Sequence, residues 1–336
     1  MSKTKIEWTR GDDGSAGRVW NPTRGCSMAA GSECGGCLNC YAARQALRMS
    51  YHGGIYEGLV KLTENGPRWT GKVVQGDIDA PLHVRKPCRW FVDSMSDLFH
   101  ESVPDEWIDR AFAVMALCPR HTFQVLTKRA ERMRAWATGH DLIGRHHRIL
   151  GDAWGILGHM PKYDHGDLLR RAWPLKNVWL GVSVEDEPTA RLRILSLLAT
   201  PASVRWVSYE PALGPVDWRP WLHDQTPIHR IKDLPWPGNV RILDWLVIGG
   251  ESGPSARPFD LAWARNAIAQ CRAAGVPPFM KQVGARPFVT RVLSQDIGRF
   301  PWAASDGDGY RLRLKDRKGG KMAEWPEDLR VREYPG

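Results

Sequence analysis

The chain of 336 residues is long enough for one large domain or two of medium size, and with 43% hydrophobic and 25% charged residues it is composed like a globular protein that buries a core. Its start, MSKTKIEWTR, is polar and lacks the apolar stretch of a signal peptide, and there is no apolar run of the roughly 18 residues a membrane span needs, so no membrane is expected and the cytoplasm is the expected location. A net charge of +10 and a pI near 9.4 favour phosphate-bearing partners such as a nucleotide or nucleic acid, although a mildly basic surface also occurs on proteins that bind neither.

One pattern recurs along the chain. A short β-branched or aromatic run ends in small or charged polar residues, and a helical segment follows. After a first run near RVWNPT (18–23), the stretch CRWFVDSMSD (88–97) reads as a strand ending at Ser94, Ser96 and Asp97. PDEWIDRAFAVMALCP then reads as a helix. Pro104 suits its first turn, Asp105 and Glu106 suit its dipole, and Trp107, Ile108, Ala111, Phe112, Met115 and Cys118 form its apolar stripe. The run 121–129 is a strand ending in Thr127, Lys128 and Arg129, and AERMRAWATG is the next helix. The run 177–186 ends at Ser183 and Glu185 and is followed by a helix containing Pro188. The run 203–211 ends at Ser208 and Glu210, and 243–252 ends at Gly249, Gly250 and Glu251. Asp260 is placed to cap LAWARNAIAQCRAAG and Gly275 to stop it, and PPFMKQ (277–282) ends in Lys281 and Gln282.

Alternating strands and helices imply parallel β/α units, with continuously apolar strands covered on both faces. The expected fold is α/β, a partial or complete TIM-like β/α barrel over residues 1–285, with polar strand ends on one functional rim. An open doubly wound sheet is the alternative, because sequence does not show closure. Residues 52–87 read as an elaborated connection. Residues 138–175, with His140, His146, His147, His159 and His165, read as an inserted loop or small helical lid rather than a metal site, since no H-x3-H pair occurs. Residues 286–336 read as a C-terminal extension packing on the barrel.

Four of the seven cysteines, Cys26, Cys34, Cys37 and Cys40, form C-x7-C-x2-C-x2-C on a glycine-rich loop after the first strand. In a reducing compartment such a cluster points to metal rather than disulfides. Two distant C-x2-C knuckles, the usual zinc pattern, are absent. The compact spacing suits soft thiolates around an iron–sulfur cube, and Gly31, Gly35 and Gly36 allow a tight wrap. A structural zinc, a fully ligated electron-transfer cluster and uncoordinated thiols remain the alternatives. A [4Fe–4S] cube held by three thiolates leaves one iron open to S-adenosylmethionine, and an electron from it makes a 5′-deoxyadenosyl radical. Cys88, Cys118 and Cys271 read as packed thiols.

The phrases TKIEWT, WNPTRGC, NCYAAR, FVDSMSDLFHESVPDEWIDRAFAVMALCPRHTFQVLTKR, NVWLGVSVED, GGESGPSARP, MKQ and AEWPEDLRVREYP resemble the phage and prophage radical-SAM-like family over most of the chain apart from 138–175. The resemblance implies a radical-SAM type of barrel and a three-cysteine ligand set that maps to Cys26, Cys37 and Cys40, with Tyr41 following. Cys34 is additional to that pattern, and the spacing departs from the common C-x3-C-x2-C. By the same analogy Ser94, Ser96 and Asp97 would meet the methionine amino group of the cofactor. Ser183 and Glu185 would lie near its ribose, with Ser208 and Glu210 nearby. Each acidic residue has the alternative of a structural pair with Arg or Lys.

Gly249, Gly250 and Glu251 open GGESGPSAR, which lacks the G-K-[ST] ending of a nucleotide-binding P-loop, so its glycines are expected to let backbone approach the cofactor. Lys128 and Lys281 are the candidate catalytic residues, placed to hold a substrate carboxylate or phosphate, with a rim salt bridge as the structural reading. The expected activity is hydrogen abstraction by a radical S-adenosylmethionine enzyme, with a nucleobase such as a modified thymine in phage DNA as substrate and a reductase or flavodoxin-type electron donor. The rival readings are a non-catalytic nucleic-acid-binding protein with a structural zinc or iron–sulfur site, and a repair protein resembling photoproduct lyases.

Overall fold

The computed structural model describes residues 3–29, 35–139, 142–157, 173–222, 243–290, 303–306 and 309–336. Strands β1 (Arg18–Trp20) and β2 (Thr23–Arg24) lead to helix α1 (Tyr41–Leu47), the hairpin β3 (Val60–Thr63) and β4 (Gly66–Trp69), and the short β5 (Val74–Gln75). There follow β6 (Arg89–Val92), α2 (Asp105–Leu117), β7 (Thr122–Thr127), α3 (Ala130–Thr138), α4 (Leu142–Leu157) and β8 (Val178–Val184). The chain continues through α5 (Glu187–Leu198), β9 (Val204–Tyr209), α6 (Arg219–Leu222), β10 (Trp245–Gly249), β11 (Phe259–Asp260), α7 (Leu261–Ala273) and β12 (Pro278–Gln282). It ends with β13 (Pro287–Thr290), β14 (Ala303–Asp306) and β15 (Gly309–Leu312).

The fold is mixed α/β around a seven-stranded sheet in the order β1-β6-β7-β8-β9-β10-β12. The pairings β1–β6, β6–β7, β7–β8, β9–β10 and β10–β12 are all parallel, which is consistent with a partial β/α barrel. Parallel neighbours need a crossover, and the helices between them supply it. All four residues of β6, all seven of β8 and all five of β10 are buried, the mark of strands covered on both faces. Trp8, Trp20, Trp90, Trp136, Trp206, Trp218, Trp245 and Trp325 are fully buried, so much of the large tryptophan content fills the interior.

The chain partitions into two compact units. The first comprises 1–33, 40–182 and 195–205. In it, α1 and the β3–β4 hairpin share an apolar cluster of Ala42, Ala43, Ala46, Tyr56, Leu59, Val60 and Met95, so the elaborated connection expected at 52–87 is largely a hairpin packed on a helix. On α2, Ile108, Ala111, Phe112 and Met115 are buried, whereas Trp107 is half-buried. The same helix buries Asp109, whose carboxylate accepts from Trp136 Nε1 at 2.9 Å and Arg148 Nε at 2.8 Å. Part of the expected insertion is therefore α4, which contains His146 and an exposed His147; His140, His159 and His165 lie outside the described residues.

The second unit comprises 34–39, 183–194 and 206–336. Asp260 caps α7 by accepting from Ala262 N at 2.9 Å, and Gly275 just beyond its end has φ 70°. The C-terminal region forms a four-stranded sheet, β11-β13-β15-β14, and Met280 N on β12 donates to Val331 O at 2.8 Å. Among the described residues no helix is long and apolar enough to cross a membrane.

Candidate functional site

In the first unit, the end of β2 turns into the cysteine loop at Gly25. Its φ is 95°, and a Cβ there would stand 2.1 Å from the Lys72 carbonyl oxygen, so only glycine fits without moving the backbone. Gly71 N donates to Cys26 O at 3.1 Å, which holds the start of the loop. Cys26 Sγ accepts from Arg129 Nη1 at 3.8 Å. Arg129 stands where β7 gives way to α3, its side chain 5% exposed. It donates to Asp97 Oδ2 at 3.1 Å, to both Glu101 oxygens at 2.8 Å and to Ser27 Oγ at 2.9 Å. Burial by itself would lower the Arg129 guanidinium, but Asp97, Cys26 and Glu101 outweigh it and push it up, so it is a fixed cation.

Asp97 also accepts from Thr127 Oγ1 at 2.7 Å, Lys128 N at 3.1 Å and Phe99 N at 3.0 Å. With its carboxylate so engaged, Asp97 ties the end of β7 to the loop after β6. His100 Nδ1 accepts from Ser102 N at 3.0 Å, so its proton sits on Nε2 and is donated to Ser27 Oγ at 2.8 Å. Burial, with the Arg129 charge, lowers the His100 pKa and keeps the ring neutral. A ring nitrogen that already carries the proton cannot take one from Ser27, so this Ser–His contact is not a nucleophile with its base.

Behind the loop, Thr23 N and Oγ1 contact Asp93 at 3.3 and 2.9 Å, and Thr23 Oγ1 also meets Ser96 Oγ. Asp93 is buried, has φ 59°, and is pushed up by burial to about 7. Ser94 Oγ and Met95 N both donate to Asn21 Oδ1 at 3.2 Å, and Tyr41 Oη donates to Ser94 O at 2.8 Å. Cys40 caps α1, its Sγ accepting from Ala43 N at 3.5 Å. In the first unit Ser94 is thus held by Asn21, Ser96 by Thr23 at the base of the cysteine loop, and Asp97 by Arg129, which faces Cys26, while Lys128 joins Asp97 through its backbone.

In the second unit, Glu185 Oε2 accepts from Arg193 Nη1 at 2.7 Å, and the same nitrogen donates to Ser183 O at 2.8 Å. Lys281 Nζ donates to both Glu210 oxygens at 2.7 Å, and Gln282 Nε2 reaches Glu210 Oε1 at 3.0 Å. A Cβ on Gly249 would lie 3.2 Å from the Glu210 side chain, and one on Gly250 would lie 2.7 Å from Val283 O. Ser208 is buried on β9. Glu251 accepts from Arg257 Nη2 at 2.7 Å and from Asn39 Nδ2 at 3.3 Å. The acidic strand ends expected from sequence are therefore each engaged by a base of the chain: Glu185 by Arg193, Glu210 by Lys281, and Glu251 by Arg257. Strand pattern alone did not name Arg193 and Arg257 as partners, nor Asn39, whose only sequence signal is its place inside C-x2-C.

Of the remaining thiols two are packed in the interior as expected, whereas Cys88 is half-buried. Cys118 and Cys271 are buried. Cys88 Sγ lies 3.8 Å from His121 Nδ1, but burial raises the thiol and lowers the imidazole, so the pair stays neutral and unactivated.

Cys26, Cys37 and Cys40 are half-buried and in no disulfide, and Cys34 lies outside the described residues. Among the described residues no three His, Cys, Asp or Glu side chains are gathered closely enough to hold a metal ion. The donor chemistry nevertheless suits a soft metal cluster. All three are sulfur donors, Cys40 accepts from a helix amide, and Cys26 faces a buried guanidinium, a cation that favours negative charge on that sulfur. No curated protein and no solved structure matches the chain. A family model described as "Protein of unknown function (DUF5131)" matches residues 3–310.

Proposed function

The chain belongs to that family, and from its residues we propose a radical S-adenosylmethionine enzyme in which Cys26, Cys37 and Cys40 hold a [4Fe–4S] cluster. When bound, such a cluster supplies the electron that cleaves the sulfonium of S-adenosylmethionine reductively to methionine and a 5′-deoxyadenosyl radical. The observation that carries the reading is the buried Arg129 guanidinium against Cys26 Sγ. A fixed positive charge beside a thiol favours its ligating, deprotonated form and offsets charge added on reduction.

The other residues position the loop and its neighbouring cation. Asp97, Glu101 and Ser27 hold Arg129 in place, so the contact to Cys26 costs little further ordering when a ligand arrives. Asp93, Thr23 and Ser96 fix the approach of β2 to the loop. Ser94, Ser96, Asp97, Ser183, Glu185, Ser208, Glu210, Gly249 and Gly250 remain the proposed surroundings of the nucleoside and methionine parts. Lys128 and Lys281 are the proposed anchors for an anionic substrate. The substrate class is a nucleobase on a phosphate-bearing chain, in keeping with the net charge of +10.

Anaerobic purification and reconstitution, with iron and sulfide analysis, test the reading. The wild type should be brown, and with dithionite and S-adenosylmethionine it should release 5′-deoxyadenosine. Cys26→Ala, Cys37→Ala and Cys40→Ala should each lose iron and turnover, whereas Cys34→Ala should keep both. A colourless protein with one stoichiometric zinc, or a cluster that needs Cys34 and ignores the sulfonium cofactor, would overturn the enzyme and favour a binding protein.

A further inference from the structure

We infer that Asn39, Glu251 and Arg257 form a latch that sets the position of the turn carrying Cys37, making Glu251 a positioning residue for metal loading. What the latch serves rests on the cluster reading above; the latch itself rests on contacts within the second unit.

The turn is closed by Leu38 N donating to Gly35 O at 3.2 Å, with Cys37 third in the four-residue turn. It is held at both ends. At the front, the Gly35 carbonyl also accepts from Arg257 Nη2 at 3.2 Å. At the back, Asn39 Nδ2 donates to Glu251 Oε2 at 3.3 Å and to Ser255 O at 2.9 Å, which commits both hydrogens of the amide. Glu251 Oε2 accepts in addition from Arg257 N at 2.8 Å and Arg257 Nε at 3.0 Å, while Oε1 takes Arg257 Nη2 at 2.7 Å. Burial would raise the Glu251 carboxyl, but the Arg257 bonds outweigh it and hold it below its usual range, so it stays an acceptor.

The base of the latch is firm. Gly250 N donates to Gln282 O at 3.1 Å, and Ala285 N donates to Glu251 O at 2.8 Å. Gly250 tolerates no Cβ, with Val283 O only 2.7 Å from where one would be. The glycines of GGESG thus seat the loop against the residues after β12, and its carboxylate reaches the cysteine turn. A turn pinned at both ends presents its thiol in one place. A preset ligand binds metal with less ordering to complete.

Hydrogen–deuterium exchange of the peptide covering 35–40, in the metal-free full chain, tests the latch. Asn39→Ala and Glu251→Ala should speed exchange there on the order of tenfold, with other regions unchanged. Glu251→Gln keeps an acceptor and should fall between them and the wild type. After anaerobic reconstitution, the same order should appear in the rate at which a chelator removes iron. If exchange at 35–40 stays at the wild-type rate in both alanine variants, the latch is wrong. It is also wrong if Glu251→Gln weakens S-adenosylmethionine binding while exchange and iron retention hold. Should Glu251→Ala not fold, Asn39→Ala decides alone. A wild type that takes up no iron defeats the cluster reading, and the exchange rates still confirm or overturn the latch.

Discussion

Asp93 joins backbone geometry to acid–base behaviour in one side chain. Its φ of 59° is rare for a residue with a Cβ, and Thr23 grips its carboxyl through both backbone and hydroxyl. Burial pushes its pKa from 3.8 up to about 7. Between those values the folded chain keeps a proton that the unfolded chain has released. This group's contribution to stability is therefore full below pH 3.8, is lost as pH rises through about 7, and is flat above it. Asp93→Asn, which tolerates the same φ, should flatten that part of the curve; denaturant midpoints measured at several pH values in both proteins check this, and parallel curves would count against it. The sequence placed Asp93 near a strand end in FVDSMSD but could not show its handedness, because φ there depends on how β6 meets the β2 loop. Arg129 was legible as the last letter of a strand, yet its partner, Cys26, is more than a hundred residues away.

Strands and helices were the most legible level. The runs at 121–129, 177–186 and 203–211 became Thr122–Thr127, Val178–Val184 and Val204–Tyr209, because apolar periodicity and flanking polar residues fix type better than boundary. The β3–β4 hairpin was hidden, since VKLTENGPRW has few buried positions: only Val60 among its strand residues is buried. Helix α5 bears the clearest energetic consequence. Its Arg193 reaches back to Glu185 at the end of β8, with side chains 1% and 0% exposed. A pair out of water is held by mutual satisfaction, and removing one partner strands the other. Arg193→Met should destabilise by about 3–5 kcal/mol in urea unfolding, and adding Glu185→Gln should recover part of it. Equal losses in the single and double variants would mean the ion pair does not govern that junction.

At the scale of the molecule, the basic balance of +10 was evident from composition, whereas which surface carries a partner was not. Binding to a single-stranded oligonucleotide should weaken steeply as salt rises, because each phosphate contact releases counterions. Fluorescence anisotropy across a salt series checks this, and no binding at low salt would remove nucleic acid from the substrate class. The cysteine loop lay at the limit of the sequence: spacing marked Cys26, Cys34, Cys37 and Cys40 and the family resemblance singled out Cys26, Cys37 and Cys40, but the cation beside Cys26 and the cap made by Cys40 belong to the fold. That cap gives the chain a built-in witness. Because the Ala43 amide points at Cys40 sulfur, whatever draws electron density from that sulfur must also change the shielding of one backbone proton. Occupancy can thus be read from a single resonance, before any product is sought.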